Sequence, residues 1–125
     1  METHGTFYWN ELMTHDAEAA KRFYGSTLGW TFDAMPMPDG TYWIAKKGER
    51  PVGGIFPMSG PHFERVPDHW MPYVAVDDVD ARLKKATAAG ASVMRDPFEV
   101  PGVGRIVILK DPSGAVLGWM TPANP

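Results

Sequence analysis

Residues 71–122 read MPYVAVDDVDARLKKATAAGASVMRDPFEVPGVGRIVILKDPSGAVLGWMTP, and residues 7–57 read FYWNELMTHDAEAAKRFYGSTLGWTFDAMPMPDGTYWIAKKGERPVGGIFP. Placed one above the other, the two stretches follow one plan. Each begins with a short apolar-rich strand, Phe7–Met13 and Tyr73–Val76. Each strand runs into an acidic helix start, at Asp16 in the first and at Asp77 or Asp78 in the second. Asp at that place accepts from the N–H groups of the first helical turn, which have no partner inside the helix.

The helices that follow are amphipathic by spacing. Ala20, Phe23, Tyr24, Thr27 and Leu28 fall on one helical face, and Val79, Leu83, Ala86 and Gly90 trace a weaker stripe. Gly29 and Gly90 stop the two helices, and strands start again at Trp30–Phe32 and Ser92–Met94. A turn and a hairpin complete each half. The spacing between counterparts is steady: Asp16 to Asp77 and Gly29 to Gly90 are both 61 apart, Gly54 to Gly118 is 64, and Pro57 to Pro122 is 65. The drift falls where the hairpin turns differ in length. The segment between the halves, residues 58–70 (MSGPHFERVPDHW), is rich in Pro and charge and reads as a linker across the surface. The expected fold is therefore α+β, a single domain over residues 1–125 with module one at 7–57 and module two at 71–122. Its two βαβββ modules form a curved mixed sheet around a cavity. The alternative is a ferredoxin-like sandwich whose halves are alike by coincidence.

Composition narrows the function classes. With 125 residues, 44% hydrophobic and 22% charged, the chain suits one folded domain with a sizeable core. Its net charge of −3 supplies no basic field for phosphate backbones, so nucleic acid is not an expected partner. The start METHGTFYWNELMTHD has no signal-peptide pattern, and no apolar run approaches a membrane span, so neither a membrane nor export is expected. A cytoplasmic location is the default. The absence of Cys excludes disulfides, thiolate metal sites and cysteine nucleophiles. Five Trp among 125 residues supply rings for a core or for lining a small-molecule pocket.

The paired modules, the segments ELMTHDAEAAKRFYGSTLGW and AVDDVDARLKKATAAGA, and the late DPSGAVLGWM resemble the vicinal oxygen chelate superfamily. That superfamily includes glyoxalase I, bleomycin-resistance proteins and extradiol dioxygenases. The resemblance implies the fold over about residues 7–122; one scaffold hosts many chemistries, so it implies much less about function. Enzymes of the superfamily typically hold a divalent metal with one His or Glu from each of four strands, and the metal polarises adjacent substrate oxygens. Carried over by position, the four places fall at Trp9, at Gly54 or a neighbour in residues 52–56, at Met71 and at Gly118. None holds a donor that a hard or borderline cation accepts. No metal and no cofactor are therefore expected. His4, His15, His62 and His69 share no short ligand spacing and read as solvated loop residues, a relocated site with Glu64 being the alternative.

Strand alternation then places Phe7, Glu11 and Met13 with Trp9, Tyr73 and Ala75 with Met71, and Val116 and Met120 with Gly118. The expected lining is Phe7, Trp9, Met71 and Tyr73, with Gly54 and Gly118 leaving space and with Trp43, Trp70 and Trp119 nearby or at an interface. A cavity filled by its own side chains is the competing outcome. Glu11 is the candidate base and Tyr73 its acid partner, because a carboxylate on an aromatic face is desolvated toward a useful pKa. Pairing of Glu11 with a rim cation such as Arg105 is the bland alternative. Two functions follow: metal-independent binding of a small, largely apolar or aromatic molecule, or a lyase, isomerase or dioxygenase with a non-standard metal site or a Glu11/Tyr73 acid–base pair. Glyoxalase I chemistry, which needs the metal, is not expected. The resemblance also implies a homodimer.

Overall fold

A computed structural model describes residues 1–123 of the chain. They form two compact units, one of residues 9–71 and one of Met1–Tyr8 with the chain from Pro72 onward. The element order is β1 (Phe7–Thr14), α1 (Ala17–Leu28), β2 (Thr31–Met37), β3 (Gly40–Lys47), β4 (Arg50–Pro57), a 3-10 turn (Pro61–Phe63), β5 (His69–Ala75), α2 (Val79–Ala88), β6 (Ser92–Val100), β7 (Gly104–Lys110) and β8 (Val116–Pro122). This is βαβββ twice, the α+β plan expected from the repeat. No helix among the described residues is long and apolar enough to cross a membrane.

In the unit of residues 9–71 the strand order is β2-β3-β4-β1, with β1 parallel to β4 and the other pairs antiparallel. Parallel pairing requires a crossover, which α1 begins. Asp16 caps α1, its Oδ1 accepting from Ala19 N at 3.0 Å, and Gly29 closes it in the left-handed region at φ 73°. Leu12, Ile55 and Trp43 stand side by side in register. Lys21 of α1 lies 3.3 Å over the Trp43 ring, so this is the face that α1 covers. Ile55 and Leu12 are buried there.

The second unit repeats the plan with order β5-β8-β7-β6 and β5 parallel to β8. Asp78, rather than Asp77, caps α2, accepting from Ala81 N at 3.1 Å. Val76, Val79, Val107 and Leu109 form an aliphatic core, with Leu83, Leu117 and Trp119 against it. Asp77 is held instead by the fork of Arg82 at 2.8 and 2.9 Å.

Three boundaries differ from the sequence reading. Strand β5 starts at His69, so the linker ends at Asp68. Strands β2 and β6 run on through Pro36 and Pro97, well past the short strand starts read from sequence. Both lie at an edge of their unit's four strands, where a missing N–H costs no ladder bond, and Pro97 also falls within a register shift. The linker is pinned rather than loose. Thr14 Oγ1 donates to Asp68 at 2.5 Å, His15 N donates to the other Asp68 oxygen, and Met58 N donates to Thr14 O.

Candidate functional site

In the unit of residues 9–71, the parallel pairing of β1 with β4 sets Glu11 directly opposite Gly54. Both lie on the sheet face away from α1, as strand alternation from Leu12 and Ile55 requires. The space above Gly54 is occupied. A Cβ at this glycine would overlap the hydroxyl end of Tyr42, which reaches across from β3. Trp9 Nε1–H donates to Tyr42 Oη at 2.9 Å. An indole nitrogen can only donate, so the hydroxyl oxygen accepts there and its own proton is directed to its second partner, the Glu11 carboxylate. Burial, aided by the negative charge of Glu11, pushes the Tyr42 hydroxyl far above the usual tyrosine range, while the Trp9 bond acts the other way. Tyr42 is therefore a neutral donor near neutral pH.

The second unit has a parallel arrangement. Tyr73 on β5 is opposite Gly118 on β8. A Cβ at Gly118 would overlap the Tyr73 ring and lie 3.3 Å from Ile108 Cδ1. The expected vacancies at Gly54 and Gly118 are thus each taken by a tyrosine of the same unit, because a glycine in a strand lets a neighbouring ring lie flat on the backbone. Tyr73 and Met71 are buried, Trp9 and Glu11 are half-buried, and Phe7 is 72% exposed.

The other residues named from sequence are placed as follows. Arg105 is engaged by Asp80 through two bonds of 2.7 and 3.0 Å and by Glu99 at 3.3 Å, and Tyr42 supplies the Glu11 contact seen within its own unit. The loop histidines are tied to backbone rather than merely solvated: His15 to Val66 O, His69 to Pro67 O, and His4 to Asp77 N. Trp43, Trp70 and Trp119 belong to the helix-covered faces, Trp70 edge-on to Tyr24 of α1 and Trp119 against the α2 core. Tyr42 was not singled out from sequence. The usable signal was Gly54, since a glycine inside a strand asks what lies over it.

The metal question turns on the donors at the four carried-over positions. Trp9, Gly54, Met71 and Gly118 offer no oxygen or nitrogen ligand, and Tyr42 is held neutral. Among the described residues no group of three His, Asp or Glu side chains is placed to hold an ion. The residues do not fit the divalent metal that the fold family implies. A separate cleft of about 340 Å³ lies beside the start of α2. Its carboxylates Asp77, Asp80 and Glu99 are already spent on Arg82 and Arg105.

Residues 10–117 match the glyoxalase-like domain family. The chain is 43% identical over 122 residues to the candidate glyoxylase CFP32 of Mycobacterium tuberculosis, covering 95% of this chain and 45% of that protein. It is 31% identical over 119 residues to the anthracycline biosynthesis protein DnrV of Streptomyces peucetius, covering 86% and 43%. The chain therefore spans less than half the length of these relatives. Among solved structures, methylmalonyl-CoA epimerase from Mycobacterium tuberculosis superposes with a TM-score of 0.65 at 14% identity, covering 94% of this chain and 87% of that one. At that identity the likeness concerns the fold alone. The match across both βαβββ modules, with relatives above 30% identity, shows that the chain belongs to the glyoxalase-like domain family of the vicinal oxygen chelate superfamily.

Proposed function

We propose that this chain binds a small, largely apolar or aromatic molecule without the help of a metal. The observation that carries the reading is the Trp9–Tyr42–Glu11 arrangement over Gly54, which puts a ring and a hydrogen-bonded carboxylate where the superfamily places metal ligands. Trp9 offers a stacking surface, while Glu11 favours neutral or cationic groups over anions. The activities of the longer relatives are not carried over, since their greater part lies outside the matched region. A homodimer in the cytoplasm is part of the same proposal, supported by the sheet edges at β2 and β6 that each unit leaves open.

The test is tryptophan fluorescence during titration with 2-naphthol, indole and benzamidine, in EDTA, for the wild type and Trp9→Leu. Saturable quenching by at least one probe, unchanged by EDTA and lost in Trp9→Leu, is expected. Saturation that requires an added divalent ion, or no saturation with any of the three, contradicts the reading.

The neutral Tyr42 hydroxyl donating to Glu11 favours one second reading, an acid–base enzyme that removes a proton beside a carbonyl with Glu11 as base. Solvent deuterium entering ethyl 2-methylacetoacetate faster with wild type than with Glu11→Gln is the result that reading requires.

A further inference from the structure

We infer that Tyr42 is the positioning residue of this site, one hydroxyl holding both the Trp9 ring and the Glu11 carboxylate in place. The inference rests on the binding reading above and adds to it the group that sets the geometry. Three observations converge. The Trp9 indole has a single polar hydrogen, and it is spent on Tyr42 at 2.9 Å, so the ring cannot turn about its strand without losing that bond. The hydroxyl proton then points to Glu11, so carboxylate and ring are oriented through the same oxygen. Finally, the missing side chain at Gly54 is what makes room for the hydroxyl end of Tyr42, since a Cβ would overlap it.

The chemistry follows from preorganisation. A ring and a carboxylate held before a ligand arrives lose little rotamer freedom on binding, and affinity gains by what is not lost. The ligand class that benefits is a flat aromatic molecule carrying a hydroxyl, amine or N–H group. Stacking on Trp9 then brings the polar group toward Glu11. Tyr42 acts through these two residues and is not itself the stacking surface.

The experiment compares wild type, Tyr42→Phe, Gly54→Ala, Glu11→Gln and Glu11→Ala. The readouts are the Trp9 indole N–H resonance, its hydrogen exchange, and affinity for 2-naphthol. Tyr42→Phe keeps the ring over Gly54 and removes only the hydroxyl. It is expected to move the resonance, speed exchange about tenfold and weaken 2-naphthol about tenfold. Gly54→Ala, which leaves Tyr42 intact but evicts its oxygen, should do the same. Glu11→Gln keeps an oxygen acceptor and should leave the indole signal near wild type, whereas Glu11→Ala should not. An unmoved indole resonance in Tyr42→Phe overturns the inference. So does a moved resonance with unchanged 2-naphthol affinity, which would make Tyr42 structural only. If 2-naphthol fails to bind wild type, the binding reading loses this probe. The indole signal across Tyr42→Phe, Gly54→Ala and the two Glu11 variants still decides whether one hydroxyl positions ring and carboxylate.

Discussion

Gly54 and Gly118 hold corresponding places in the two units, each opposite the β-strand that begins its module, and each lies under a tyrosine. The tyrosines arrive differently. Tyr73 comes from the strand paired with Gly118, and its ring lies over that glycine near Ile108. Tyr42 comes from β3, and its hydroxyl is tied to Trp9 and Glu11. The helices differ in the same sense. α2 buries Val79 in a core with Val107 and Leu109, whereas no residue of α1 is buried, and its Lys21 and Tyr24 lie against Trp43, Trp30 and Trp70. The duplicated architecture is therefore built differently in its two halves: the second unit packs an aliphatic core beneath α2, and the first joins Trp9, Tyr42 and Glu11 by hydrogen bonds.

The largest effect should come from the second unit's core. Leu109→Ala removes a side chain with 1% exposure and should cost about 3 kcal/mol in denaturant unfolding. Phe23→Ala on α1, 57% exposed, should cost less than about 1 kcal/mol. Equal costs would erase the contrast.

The glycines sharpen it next. Gly118→Ala meets the body of the Tyr73 ring and Ile108, and should destabilise by about 2–3 kcal/mol. Tyr73→Ala in the same chain should remove most of that added cost, because the obstruction is gone. Gly54→Ala meets the end of Tyr42, so its cost should be smaller, about 1–2 kcal/mol, and mostly the loss of hydrogen bonds.

A smaller difference should appear in pH dependence. The Tyr42 pKa is raised above its unfolded value by burial first and by Glu11 second. Its contribution is complete below roughly pH 10 and declines as pH rises beyond that, because the unfolded chain ionises first. Tyr42→Phe should flatten the alkaline limb of the stability curve. On the acid side, Asp68 is held below the usual carboxylate range by the Thr14 hydroxyl, and Asp77 by Arg82. Both contributions are present above roughly pH 4 and fade as pH falls through the lowered values. Both units should share the acid limb, with the tyrosine limb belonging to the first. An alkaline limb unchanged in Tyr42→Phe would remove this distinction.

Much of this plan was readable in the sequence because its signals are local. Asp16 and Gly29 mark the ends of α1 by backbone chemistry alone, and the structure places a cap and a left-handed closure there. The strand through Pro36 was not readable, since whether proline breaks a strand depends on edge position, which sequence does not display. Alternation along β1 put Trp9 and Glu11 on one face, but the group joining them comes from β3. A pairing across strands depends on register, and the register shift between Ala45 and Lys46 in the β3–β4 ladder lies close to the very segment concerned. Gly54 was read as a space rather than as the imprint of a ring, and that is where the sequence account and the structure diverge.

The most direct test of the central claim is elemental analysis of protein incubated with Ni²⁺, Zn²⁺, Mn²⁺ and Fe²⁺ and then dialysed. The account predicts that no metal is retained in proportion to protein. Retention near one ion per chain, lost in Glu11→Ala, would contradict it and return this member of the family to metal chemistry.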